Sequence, residues 1–275
     1  MTVAFVLAGG GSLAASQVGT LRALTEAGIT ADLVVGSSAG AINAYCYAEH
    51  PTEAGLDRLS RLWCGLRRRD VFPFRLDQIL AGLAGRRDGV VAPDRFRDYL
   101  RQHVGSADLA DATVPTYLVA TDLAAGEPVV FSSGPVVDVL MASAAMPGVF
   151  PPVGIGDRQY VDGGVTADTP IRQAEDAGAT VTYVLPSVGP EAPKRLHGAV
   201  PVLMRAVGHI FGHVVATEVA GARGEVHVLP APEQGRANPF DFRATARLID
   251  EGYATAKAAL DALADARPTG RLMAG

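Results

Sequence analysis

Two segments near the N-terminus constrain the fold more than any other feature. In each, a short apolar run ends in a cluster of small residues that opens a helical pattern. VAFVL (3–7) runs into AGGGSLAASQVG, and LVV (33–35) runs into GSSAGAIN. Runs of this length, rich in β-branched residues, read as buried strands. Between them Ala14, Val18, Leu21 and Leu24 recur at three- and four-residue steps, and Gly28 ends the helix. A second helix is expected over Ala39–Ala48. Strand, helix, strand, helix in quick succession predicts an α/β fold: a three-layer sandwich whose mainly parallel sheet is covered by helices.

The rest of the chain is expected to follow as one domain over 1–275. Residues 55–105 break the rhythm, carrying Trp63, Phe72, Phe74, Leu76, Ile79, Leu80 and Leu83 between Arg67–Arg69 and Arg86–Arg87. They read as a helical, cap-like insertion. TYLVAT (116–121) and PVVF (128–131) read as a hairpin, with a helix at 136–145. FPPVGIGDRQYVDGG reads as loop, and Thr169-Pro170 as an N-cap and first helical residue of a helix to about Ala177. Strands at 180–185 and 225–229 flank an apolar helix near 199–218, and a last helix spans about 242–264.

Composition narrows the function. With 48% hydrophobic and 19% charged residues in 275, the chain folds around a sizeable core. A net charge of -5 supplies no drive toward nucleic acid. Cys46 and Cys64 are too few for a disulfide framework and read as buried apolar residues of a reducing compartment. TVAFVLA lacks the basic flank and cleavage site of a signal peptide. No stretch has the length and apolarity of a membrane span. A cytoplasmic protein with at most peripheral membrane contact is expected.

Three motifs carry chemistry. The Gly9-Gly10-Gly11 turn before the first helix can face backbone N–H groups outward, at the positive end of a helix dipole, toward a phosphate or an acyl-transfer oxyanion. Gly36-Ser37-Ser38-Ala39-Gly40 places Ser38 where a strand turns sharply into a helix, the setting of an elbow nucleophile. Gly36 and Gly40 remove side chains that would collide there, and Ser37 is a capping or packing neighbour. Asp162, ahead of Gly163 and Gly164, puts a carboxylate on a turn from which it can serve as a base.

Together with ASAAMPGVFPPV (142–153) and DFRATARLIDEGYATAKAAL (241–260), these motifs resemble the patatin-like phospholipase family along most of the chain. The resemblance implies a lipid acyl hydrolase with a Ser–Asp catalytic dyad and no histidine: Ser38 as nucleophile, Asp162 as base. It implies that Gly10 and Gly11, with Gly9 and Ser12, supply the oxyanion hole. The expected partner is a lipid or other acyl ester, with no metal or organic cofactor. One departure stands out. Where the family usually carries Arg or Lys and then Gly after the third glycine and one further residue, this chain has Leu13 and Ala14.

Other readings weigh less. A Ser-His-Asp triad would use His197, His209, His213 or His227, but the elbow follows only the second strand, and the Gly-rich loop lies unusually close before it. His209 and His213 share a helix face, yet Ile210 stands where a catalytic zinc motif carries Glu. Gly9–Ala14 fits a loose dinucleotide pattern, but the second strand runs into Gly36-Ser37-Ser38 rather than to an acidic ribose ligand. A catalytically silent lipid-binding relative is the remaining alternative.

Overall fold

The structure is a computed structural model that describes residues 1–73, 76–187, 189, 215–233 and 238–266. β1 (Val3–Leu7) passes through a 3-10 turn at Gly11–Ala15 into α1 (Ser16–Glu26). β2 (Leu33–Ser37) leads through Ser38 into α2 (Ala39–Glu49). The helices α3 (Glu53–Gly65), α4 (Arg68–Val71), α5 (Leu76–Leu83) and α6 (Asp94–His103) precede β3 (Thr116–Asp122) and β4 (Glu127–Phe131). Then come α7 (Val136–Ser143), β5 (Val153–Ile155), β6 (Arg158–Asp162), α8 (Gly164–Ala167), α9 (Ile171–Asp176) and β7 (Val181–Leu185). Residues 215–220 are helical (α10), followed by β8 (Glu225–Val228) and α11 (Thr245–Ala266).

One eight-stranded sheet runs β5-β6-β3-β2-β1-β7-β8, with β4 also paired to β3. β3, β2, β1, β7 and β8 are parallel, as the alternation of strands and helices requires. β4, β5 and β6 are antiparallel additions. Alternate strand residues feed two separate apolar layers. Phe5, Leu7, Val34, Leu118 and Leu185 pack with Leu21 and Leu24 of α1, Ile42 of α2, and Leu248 of α11. Ala4, Val6, Val35, Val119 and Val184 pack with Ala167, Ile171 and Ala174 of α8 and α9. The fold is the expected α/β sandwich.

One detail of register positions the site. Leu118 pairs with both Gly36 of β2 and Phe131 of β4, while Ala120 pairs with both Val129 of β4 and Asp162 of β6. A strand residue has only two edges. β2 and β6 therefore share the same edge of β3, end to end: β2 stops opposite Val119, and β6 arrives from the other direction opposite Ala120.

Several expectations change. The stretch expected to be loop before Asp162 contains the β5–β6 hairpin, turned by Gly156 and Asp157 with Gly156 at φ 64. α9 starts at Ile171, with Pro170 rather than Thr169 at its N-cap and no side-chain cap bond. The stretch from Glu53 to His103 contains the four helices α3 to α6, of which α3 belongs to the core, burying Leu56, Leu59, Leu62 and Trp63. Cys64, expected to be buried, is exposed, because the helical step past Trp63 turns it to the solvent side. Leu76 and Leu80 of α5 are 72% and 58% exposed. Among the described residues no helix is long and apolar enough to cross a membrane. Most of the expected 199–218 helix, with His197, His209 and His213, lies outside the described residues, as does Phe74.

Candidate active site

The elbow follows from local sterics. Ser38 has φ 54 and ψ -126, and among the described residues it is the one non-glycine with positive φ. Such a conformation is strained for an L residue and persists only where its surroundings enforce it. Gly40 is part of that enforcement. A Cβ there would lie 2.2 Å from the Leu7 carbonyl oxygen, so only glycine lets α2 start so close against the end of β1. Ser143, at the end of α7, adds a polar clamp: its hydroxyl accepts the Ser38 N–H at 2.9 Å and donates to the Val119 carbonyl at 2.6 Å.

The same segment fixes the carboxylate. The Asp162 N–H donates to the Ala145 carbonyl at 2.9 Å, and the Gly163 N–H to the Ser143 carbonyl at 3.0 Å. Thr121 Oγ1 donates to the Asp162 carbonyl at 2.9 Å. Thus held, Asp162 Oδ2 accepts the Ser38 hydroxyl at 2.7 Å, and Oδ1 accepts the Gly164 N–H at 2.8 Å. Ser38 is half-buried and Asp162 buried. Burial pushes the Asp162 carboxyl up to about 7, against the opposing pull of the Ser38 and Gly164 hydrogen bonds, and the Asp168 carboxylate adds to the rise.

The glycine turn divides into two parts. The Gly9 N–H donates to the Asp168 carbonyl at 3.2 Å. Ser12 is buried, with its N–H on Pro239 O and its hydroxyl on Asn238 O and Asp241 O. Both residues thus have their donors engaged within the protein. The Gly9 carbonyl accepts from Ser187 Oγ, and the Gly10 carbonyl accepts the Leu13 N–H at 3.2 Å. In a trans peptide the C=O and the following N–H point in opposite directions. The Gly10 and Gly11 N–H groups are therefore turned away from those anchors, on residues that are partly exposed.

Behind the turn lies a buried polar network. Gln17 Nε2 donates to the Ala8 and Leu185 carbonyls, each at 2.8 Å, and its Oε1 accepts from Asn43 Nδ2 at 2.8 Å. Asn43 Oδ1 in turn accepts from Trp63 Nε1 of α3 at 2.6 Å. The motif readings did not single out Gln17, Asn43, Ser143 or Ser187; their roles depend on tertiary neighbours that no local pattern encodes.

Ser37 is buried with no hydrogen-bond partner for its hydroxyl, facing the Gly163 turn, so it is a packing neighbour rather than a nucleophile. Leu13 is 3% exposed and part of the core, where it packs the first helical turn. Among the described histidines, His50 lies by Glu49, His103 on Tyr99, and His227 between Glu225 and Tyr183. A second carboxylate that the motifs did not flag, Asp168, stands beside Gly9. Its carboxyl is raised to about 6 by burial, against the pull of the Gly9 N–H and the Thr169 hydroxyl. Among the described residues no cluster of side chains could hold a metal ion.

A model of the patatin-like phospholipase family matches residues 5–175. An uncharacterized NTE family protein of Mycobacterium tuberculosis is 30% identical over 191 residues, covering 69% of this chain and 50% of that protein. A lysophospholipase of Aspergillus terreus, nte1, is 27% identical over 184 residues, covering 67% of this chain and 12% of that protein. The chain spans half or less of the length of these curated relatives. Among solved structures, VipD from Legionella pneumophila has a TM-score of 0.48 at 14% identity, covering 95% of this chain and 66% of that one.

Proposed function

The chain belongs to the patatin-like phospholipase family, and from that premise we propose that it is a serine hydrolase of lipid carboxylic esters working through a Ser38–Asp162 dyad. The observation that carries this reading is the direct 2.7 Å hydrogen bond from the Ser38 hydroxyl to Asp162, with no third group between them. Lysophospholipase in the name of a relative supports the lipid ester as substrate class.

Asp162 accepts the Ser38 proton as Oγ bonds to the ester carbonyl carbon. The negative charge that develops on the carbonyl oxygen is met by the Gly10 and Gly11 N–H groups and by the positive end of α2. Collapse breaks the ester C–O bond, and the leaving alcohol takes the proton back from Asp162. Water then attacks the acyl-serine while Asp162 accepts one of its protons. The carboxylic acid departs, and that proton returns to Ser38. Each step needs only groups of this chain and water.

Access to aggregated lipid is assigned to α5. It exposes Leu76 and Leu80, one helical turn apart, with Arg67, Arg69, Arg86 and Arg87 exposed in the flanking segments. That combination suits peripheral contact with an anionic interface. The decisive test is labelling of the purified chain with a fluorophosphonate probe. Labelling and ester turnover that both vanish in Ser38→Ala are expected; labelling of Ser38 without turnover on any ester would point to a silent relative, and no labelling would end the serine-hydrolase reading.

A further inference from the structure

We propose that Asp168 is a specificity-determining residue, biasing the site toward esters that carry no negative charge beside the scissile bond; this rests on the hydrolase reading above. Asp168 directly follows α8 and is partly exposed. Its Oδ1 lies 2.5 Å from where a Cβ on Gly9 would stand and 3.2 Å from the corresponding point on Gly164. The same Gly9 point is 3.2 Å from Ser38 Cβ. The carboxylate therefore occupies the corner between the glycine turn, the nucleophile and the Asp-Gly-Gly turn, and the Gly9 N–H bond to its own carbonyl holds it there.

Nothing cationic offsets it among the described residues. Its polar neighbours are the Gly9 N–H and the Thr169 hydroxyl. Leu13 is buried in the core and brings no charge to the turn. With Asp162 ionised as well, two carboxylates border the place where the acyl group reacts. A carboxylate or phosphate on the substrate next to the ester meets repulsion there, while a neutral or cationic group does not.

The charge of Asp168 develops in an accessible pH range, because burial raises its carboxyl to about 6. Asp162, at the end of β6, is the titratable group that faces it. The glycine turn and the start of α2 present no ionisable side chain. On the strands beneath α8, Asp122 is paired with Arg158, and Glu127 is exposed. Arg172, on α9, lines a separate cavity with Glu175, Asp176 and Glu218.

The test compares p-nitrophenyl butyrate with p-nitrophenyl hemisuccinate, which share a leaving group and differ in a terminal carboxylate. The readout is the ratio of their kcat/KM values, anionic over neutral, between pH 5.5 and 8. In the unmodified chain the ratio should fall about tenfold as Asp168 ionises. In Asp168→Asn the step near pH 6 should disappear, and the ratio at pH 8 should rise about tenfold. Added salt should raise the ratio in the unmodified chain by screening the repulsion. A ratio independent of pH in the unmodified chain, or the same step surviving in Asp168→Asn or Asp168→Ser, would overturn the assignment, and the first of these needs no variant to fold. Absence of Ser38-dependent turnover on either ester would instead overturn the hydrolase reading, and the inference with it.

Discussion

In the proposed dyad Asp162 must be ionised to accept a proton, yet its burial opposes ionisation, and both leave measurable traces. With its carboxyl raised to about 7, the rate on a neutral ester should climb as pH rises through about 7 and then level. Ser38→Ala and Asp162→Asn should each lose at least about a thousandfold in kcat, and the double variant should be little worse, because the pair acts in one step. Near-normal turnover by folded Asp162→Asn would remove the dyad. Stability should show the opposite sign. The folded carboxyl lies above its ordinary value of 3.8. Folding therefore takes up a proton between about pH 4 and pH 7, and the group's contribution, complete below 4, is lost as pH rises through 7. Three units correspond to about 4 kcal/mol, an upper bound for one buried group. Asp162→Asn should accordingly melt at a higher temperature than the unmodified chain at pH 8, with the difference closing toward pH 4. Equal melting temperatures at pH 8 would contradict this account.

At the scale of elements, the first strand-helix units were legible because both signals are local: alternation of apolar types, and small residues where β2 turns into α2. The β5–β6 hairpin was not, since Arg158 and Gln159 of β6 are exposed and β5 is only three residues long, with its apolar Val153 and Ile155 separated by Gly154. Ser38, Asp162 and the glycine turn could be picked out from their motifs. What holds them is spread over distant segments, as in Ser143 between β2 and β6, or Ser187 behind Gly9. Ser187 gives a direct check on how the turn is set. Its hydroxyl fixes the Gly9 carbonyl, so Ser187→Ala frees the Gly9–Gly10 peptide to rotate. We expect kcat to fall about ten- to a hundredfold with KM changed less than threefold, short of the loss from deleting an oxyanion donor outright. A parallel fall in melting temperature and no change in kcat would mean that Ser187 serves packing alone.

For the molecule as a whole, the core and the exposed leucines of α5 separate cleanly. α3 is built into the core and α5 is not, so Leu76→Ser with Leu80→Ser should leave the melt intact. It should lower flotation with anionic phosphatidylglycerol vesicles about tenfold, the effect of withholding two leucines from an apolar phase in part. Unchanged flotation would detach α5 from lipid binding. The shared edge of β3 has a different consequence. Ser38, just past β2, and Asp162, at the end of β6, arrive on separate strands with α2 to β5 between them in sequence, but both strands end on the same edge of β3, at the neighbouring residues Val119 and Ala120. Backbone pairing is indifferent to side-chain identity. The Ser38–Asp162 spacing is thereby insulated from substitutions in α4 to α6, which take no part in these pairings or in the Ser143 clamp, and a lineage can rewrite those helices while the two side chains keep their places.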